Sequence, residues 1–431
     1  MKSAFTYYTA ACKILKMDTA EKYDVIILGT GFTECILGGI LAKEGKKVLQ
    51  LDRERFSGGA NGCISCLEEL EAAFQTKLNA KHKGFWNVDL VTKFFVGKDR
   101  MVSLLEYIGV KIDTEPLHDV FLTFSGSLIK VPISAQQVMA CNFIPTSEKE
   151  SFHQFLEFAR NRRFSENKQR QLPSPDGVFE LYKLGSSCKL MVDHVITGGY
   201  KSSEAMLDQV RRFCDVPTPH RSTALHFPLF GLGELIQSLQ KVIKSAGGRS
   251  MLNRPLDWVK KRDGLVYVSA SGVTAGAPTI IADPSYFPDM VKSTAKIARA
   301  SCVLNHPTPG ATTSHSHYVV VPPATSEQRD DIYVSVVGSK HKVSPAGMYV
   351  AIVSAIVQSS NPDEALKPGL DLLGQITAKM TKVHDYCVPL EGDKKSRIFI
   401  SKSYDATMTW ETAMDDVTSL YEKITEKKFP T

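Results

Sequence analysis

The stretch Asp24–Glu34, DVIILGTGFTE, constrains the fold more than any other part of the chain. It predicts an apolar strand (Asp24–Leu28), the turn Gly29-Thr-Gly31 and the start of a helix. This is the opening of a dinucleotide-binding βαβ unit, whose pattern is G-x-G-x-x-G. The first glycine permits the tight turn, the second lets the backbone approach a pyrophosphate, and the third lets helix and strand pack closely. Here the third position is Glu34. A carboxylate beside the helix N-terminus, where two phosphates would sit, opposes them by charge and by bulk. Asp52, closing the strand KVLQLD, lies where the ribose-binding acid is expected. The scaffold is that of a flavoprotein, with its cofactor chemistry damaged.

Two further signals bear on the cofactor. Gly58-Gly59 follows Asp52-Arg53 as the glycine doublet does in glutathione-reductase-type flavoproteins. A flavin also needs a late glycine that lets a helix N-terminus approach its ribityl chain. From Asp393 to the C-terminus there is no glycine. Together with Glu34, this predicts no bound cofactor, with Gly29, Gly31, Asp52, Gly58 and Gly59 as remnants of the motif.

The 431 residues suffice for two or three domains. A net charge of +6 over that length is too small to imply a nucleic-acid partner. Nine scattered cysteines fit thiols in a reducing compartment better than a disulfide framework. No apolar run reaches the roughly 18 residues of a membrane span. These features predict a soluble, cytosolic protein. The first residues, MKSAFTYYTAACKILK, lack a clear signal-peptide core and the arginines of a transit peptide. Residues 1–17 read as a disordered extension, with targeting as the alternative.

The fold class read from the pattern is α/β: a discontinuous FAD/NAD(P)-binding-like Rossmann domain (18–132 and 220–431) interrupted by a mainly helical one (133–219). In the first part a helix is predicted at Leu67–Thr76 and strands at Val120–Phe124 and Leu128–Val131. Phe152, Phe155, Leu156 and Ala159 follow the i, i+3, i+4, i+7 spacing of an amphipathic helix. Val178–Val195 and Glu204–Phe213 also read as helical, and Val216-Pro-Thr-Pro219 reads as a hinge. In the last part GLGEL (Gly231–Leu235) opens a helix. Strands are predicted at Leu252–Val259, Leu265–Ala270, Tyr333–Val337, Tyr349–Val357 and Arg397–Ser401, with helices at Asp363–Met380 and Thr409–Lys423.

Other chemistry is sparse. Cys63-Ile-Ser-Cys66 has no second pair to make a zinc site; it reads as two ordinary thiols, or as a redox pair if it sits at a helix N-terminus. His315-Ser-His317 would share a face of a strand, without an evident third ligand. Neither a nucleophile motif nor a phosphate loop is present, so no catalytic residue and no metal are expected.

YDVIILGTGFTECILGGILAKEGKKVLQLDR (Tyr23–Arg53) resembles the opening of Rab GDP dissociation inhibitors, in which GTG is likewise followed by x-T-E-C. The resemblance continues through LEEL (Leu67–Leu70), WNVDL (Trp86–Leu90), PLFGLGEL (Pro228–Leu235), DPSY (Asp283–Tyr286), DIYV (Asp331–Val334), YVAIVS (Tyr349–Ser354) and SYDATMTWET (Ser403–Thr412). It implies a non-enzymatic, monomeric carrier that binds GDP-bound, geranylgeranylated Rab GTPases, extracts them from membranes and recycles them through the cytosol. A twenty-carbon chain needs apolar shelter on the order of 10 kcal/mol to leave a bilayer. The helical insert is the place expected for it, with Phe155, Phe158, Leu190, Met191 and Val195 as candidate prenyl contacts. The implied GTPase platform comprises Arg53, Phe56, Ser57, His82, Trp86, Asp89, Glu234, Lys241, Arg249 and Met251. Three places depart from the family pattern: Ser57 replaces a tyrosine, His82–Phe85 (HKGF) replaces a run with two arginines, and Lys241 replaces an arginine. Three other readings stay open at this point. They are a Rab escort protein, a relative carrying other lipidated cargo, and an FAD-dependent oxidoreductase of the amine-oxidase type.

Overall fold

A computed structural model describes residues 20–59, 62–78, 84–162, 172–200, 202–215, 223–323, 330–357, 361–390 and 396–430. Residues 1–17 and Val216–Pro219 lie outside it.

The βαβ opening folds as its pattern requires. Val25–Leu28 is fully buried and lies centrally in a five-stranded parallel sheet. Its order is Arg249–Met251, Val48–Leu51, Val25–Leu28, Ile280–Ala282, Ile398–Ile400. VIIL and VLQL have the near-continuous apolar character of strands covered on both faces. The helix Phe32–Lys43 is buried from Phe32 to Ala42. Helices Gly233–Ser245 and Glu411–Thr425 pack against it. The approach of Gly233–Ser245 depends on two glycines: a Cβ at Gly38 would meet Ile243 Cδ1 at 2.8 Å, and one at Gly39 would meet Leu239 Cδ2 at 2.9 Å.

A second sheet of seven strands runs in the order Ala378–Pro389, Val291–Leu304, Tyr349–Val357, Ile332–Gly338, His317–Val321, Asp119–Phe124, Ser127–Lys130. Only the His317–Val321/Asp119–Phe124 pair is parallel. A smaller four-stranded sheet joins Glu21–Lys22 to the meander Val273–Ala277, Leu265–Ala270 and Leu256–Arg262. Between residues 135 and 214 the described elements are all helical: Ala135–Ala140, Thr146–Asn161, Pro175–Leu181, Ser186–Leu190, a π-helical turn Met191–Ile196 and Ser203–Cys214.

Several elements differ from the sequence reading. The helix expected to reach Met380 ends at Asp371, after Pro368 removes a backbone donor. Ala378–Pro389 is instead a strand, paired along its length with Val291–Leu304. That fourteen-residue strand, VKSTAKIARASCVL, escaped detection because its alanines and lysines mask an apolar half held between two neighbours. Val178–Val195 is not one helix but three segments. The strand expected from Leu252 starts at Leu256, because Asn253 turns at φ +54° ahead of Pro255.

Candidate functional site

The turn that would cradle a pyrophosphate is occupied by the chain's own side chains. Gly29 turns at φ +112°, where an added Cβ would meet Asp283 Cβ at 3.1 Å. Gly31 precedes the helix, and Glu34 in the first turn folds its carboxylate back over Gly31. Ser401 donates its hydroxyl to Glu34 Oε1 at 2.6 Å. The Thr33 N–H, one of the free amides at the helix start, donates to Tyr404 Oη at 3.0 Å, satisfying the group a phosphate oxygen would otherwise meet. Burial, with Asp283 nearby, pushes the Glu34 carboxyl up to about 8. Burial thus favours the neutral form of Glu34. Its expected charge repulsion is replaced by exclusion through volume and through the hydrogen bonds it takes up.

The ribose side is closed as well. Asp52 is buried, accepts from the Thr30 hydroxyl and takes the Glu54 N–H at 2.8 Å. The Gly58 N–H donates to Thr30 Oγ1 at 2.8 Å, and a Cβ on Gly59 would lie 3.8 Å from Asp52 Oδ2. Tyr286 accepts from the Arg53 N–H at 3.1 Å and lies under the Arg53 guanidinium at 4.2 Å. These residues do not fit a dinucleotide.

Beside this closed turn the loop after Asp52, the helix Gly233–Ser245 and the edge strand Arg249–Met251 come together. Ser57 donates to Gln240 Oε1 at 3.1 Å, tying the loop to the helix. Its neighbour Phe56 is left 57% exposed. Glu234 and Lys241 are both exposed, seven residues apart and so on one helical face. Met251 is half-buried, and its carbonyl accepts from the Asp52 N–H at 2.9 Å. Arg249 is exposed and paired with Glu21 at 3.2 Å.

Two of the expected contact residues are not on the surface. Trp86 is fully buried. Asp89 is buried and accepts the Leu232 N–H at 2.8 Å, with Gly233 N–H as a second donor. It pins the start of the helix that displays Glu234, and burial pushes its carboxyl up to about 7. Neither side chain is placed to be a surface contact, and Asp89 acts on the helix start from within. His82 lies outside the described residues. Phe85 is 54% exposed and packs edge-on against Phe230 at 5.8 Å. Lys342 lies 4.8 Å over Phe230. Phe230 sits at φ +68°, a rare conformation for a bulky residue. Neither Phe230 nor Lys342 was among the expected contact residues. The signal for Phe230 was an aromatic residue placed immediately before the Gly231 turn.

In the helical insert the five candidate apolar residues divide. Phe155, Met191 and Val195 are buried, whereas Phe158 and Leu190 are half-buried. Phe155 packs against Phe152, Phe179 and Tyr182 at centroid distances of 6.2, 6.1 and 5.7 Å. Phe158 meets the same Tyr182 at 5.6 Å.

Comparison with known proteins is decisive. The sequence profile described as GDP dissociation inhibitor matches residues 17–430. The chain belongs to the GDP dissociation inhibitor family. It is 32% identical to Rab GDP dissociation inhibitor beta of Canis lupus familiaris, over 95% of this chain and 96% of that protein. Its structure is similar to the crystal structure of Rab GDI from Plasmodium falciparum, with TM-score 0.87 and 27% identity, covering 96% of this chain and all of that one. An oxidoreductase from Methanosarcina mazei matches at TM-score 0.57 and 11% identity, over 94% of this chain and all of that one. That last likeness shows the fold alone.

In this GDP dissociation inhibitor family member Cys63-Ile-Ser-Cys66 does lie at a helix N-terminus. Cys66 caps the helix Leu67–Phe74, its Sγ accepting from Glu69 N–H at 3.4 Å. Cys63 lies 3.8 Å from Asn87 Oδ1, and burial raises its thiol well above the ordinary range. Both are free thiols. His317 is buried in its strand while His315 precedes the strand and is exposed, so the pair does not share a face. Among the described residues no three His, Cys, Asp or Glu side chains converge as metal ligands, and no helix is long and apolar enough to cross a membrane.

Proposed function

We propose that this chain acts as a Rab GDP dissociation inhibitor. It binds GDP-loaded, geranylgeranylated Rab GTPases and slows their loss of GDP. It draws them off membranes and carries them through the cytosol, as a monomer with transient membrane contact and no catalytic turnover. The observation that carries this reading is the filled turn at Gly29–Glu34: with Glu34 and Tyr404 in the pyrophosphate position, the scaffold presents surfaces in place of a redox group.

The GTPase platform in this reading is Arg53, Phe56, Ser57, Glu234, Lys241, Arg249 and Met251, with His82 as a further contact. Exposed Phe56 is the aromatic anchor. Asp89 holds the start of the Glu234 helix from beneath, and Trp86 is buried in the core. Selectivity for GDP follows because GTPase switch segments change conformation with the nucleotide. The prenyl chain enters among Phe155, Phe158, Leu190, Met191 and Val195, replacing part of the insert's own packing.

The test is release of a fluorescent GDP analogue from a prenylated Rab. Added protein should slow release at least about tenfold, and Phe56→Ala should raise the half-maximal concentration by about 10-fold or more, as loss of an aromatic anchor does. Unchanged release across several Rabs, with the protein in excess, would overturn the proposal.

A further inference from the structure

The helical insert meets the large sheet through one short, irregular element. After Ser186–Leu190 the chain widens into the π-helical turn Met191–Ile196, where the Thr197 N–H reaches back five residues to the Val192 carbonyl at 3.0 Å. Such a turn carries an extra residue and is frequent at functional sites. It packs against the helix Ser203–Cys214 and against the strands Asp119–Phe124 and His317–Val321. Met191, Val192, Val195 and Ile196 are buried, so the turn forms part of the insert's apolar core.

Two polar contacts hold it in place. His194 Nδ1 lies 2.7 Å from Asp331 Oδ1, at the entrance to the strand Ile332–Gly338. The Tyr200 hydroxyl donates to Asp193 at 2.9 Å. The Asp331 carboxylate raises the His194 imidazole above its ordinary range, which favours a charged pair. Behind the turn is a cleft of about 510 Å³, with Val195, Ile196, Tyr318 and Tyr333 on its walls and Arg212 and Glu411 across it.

These features belong together. A close-packed core has no room for an added isoprenoid chain unless some element moves. The turn at Met191–Ile196 has both a residue to release, by rewinding to an α-helix, and an open cleft to move into. We propose that Met191–Ile196 is a latch, closed over the insert's apolar core in the free protein and displaced toward the Tyr318–Tyr333 cleft when a prenyl chain enters. The His194–Asp331 pair must break for this displacement, so it governs how fast the chain is taken up. The latch rests on the prenyl-carrying reading above and adds its regulation.

The probe is a fluorescent geranylgeranyl-cysteine methyl ester, mixed rapidly with the full chain. Asp331→Asn and His194→Gln should each speed association at least threefold. Tyr200→Phe, which removes a single hydroxyl, should speed it less and remains informative if the stronger variants misfold. Saturating probe should also accelerate amide hydrogen exchange across Met191–Thr197 in the unaltered protein. Association unchanged within twofold in all variants, or exchange across Met191–Thr197 untouched by bound probe, would overturn the latch while leaving the prenyl reading intact. Failure of the unaltered protein to take up the probe at all would overturn both.

Discussion

At the residue scale Glu34 joins the fold to the lost cofactor. Its carboxyl is pushed up to about 8, from an ordinary value of 4.5, by burial. The folded state therefore holds a proton that the unfolded chain releases near pH 4.5. The stabilisation is fully present below that pH and is lost as pH rises through about 8. Between pH 5 and pH 8.5 the melting temperature of the unaltered protein should drop, relative to that of Glu34→Gln, by an amount on the order of 3 °C, which thermal melts in matched buffers would measure. Parallel curves for the two proteins would show that Glu34 ionises freely. Asp89 makes a separate prediction. It receives the Leu232 N–H at 2.8 Å as well as that of Gly233, so Asp89→Ala leaves buried donors unmet and should cost about 1–3 kcal/mol in denaturant unfolding. The presence of Glu34 at the third glycine position was legible in the sequence, but its protonation was not. The burial that raises the carboxyl is set by distant parts of the chain, Ser401 lying 367 residues away, and outweighs the Ser401 hydroxyl, which favours the charged form. Trp86 and Asp89 misled for a related reason: an aromatic residue and an acid in a loop look like contacts until their burial is known.

At the element scale the strongest local patterns translated directly into structure. VIIL became a strand buried on both faces as a short continuous apolar run, FTECILGGILAK followed the Gly29-Thr-Gly31 turn as an all-round buried helix, and GELIQSLQKVIKS became a helix because its apolar residues keep one helical period. Val291–Leu304 was illegible because its stability comes from strands on both sides rather than from its own residues. The turn at Met191–Ile196 was illegible because the apolar spacing of MVDHVI reads as an ordinary helix and gives no sign of an extra residue per turn. Gly38 carries an element-scale prediction. Its added Cβ would press on both Ile243 and Ile27, at 2.8 and 3.0 Å. Gly38→Val should therefore destabilise the protein by about 1–3 kcal/mol through overpacking. A midpoint of unfolding unchanged in urea would show that the two helices adjust freely.

At the scale of the whole molecule, an α/β body with a closed nucleotide turn carries an exposed edge beside Phe56, Glu234 and Lys241, and a helical insert with an apolar core. Family membership was legible because ordered blocks from Tyr23 to Thr412 span most of the chain. Which residues lie at the surface was not, since a block match carries no exposure. The central claim is that these two features act together on one partner, a lipidated GTPase in its GDP state. The most direct measurement is extraction of prenylated Rab from vesicles into the supernatant, with GDP-loaded and GTP-loaded membranes titrated in parallel against unaltered protein and Glu234→Ala. The expected result is dose-dependent release of the GDP form, little release of the GTP form, and a shift to higher concentration for the variant. Equal release of both forms, or none from a panel of Rabs, would contradict it.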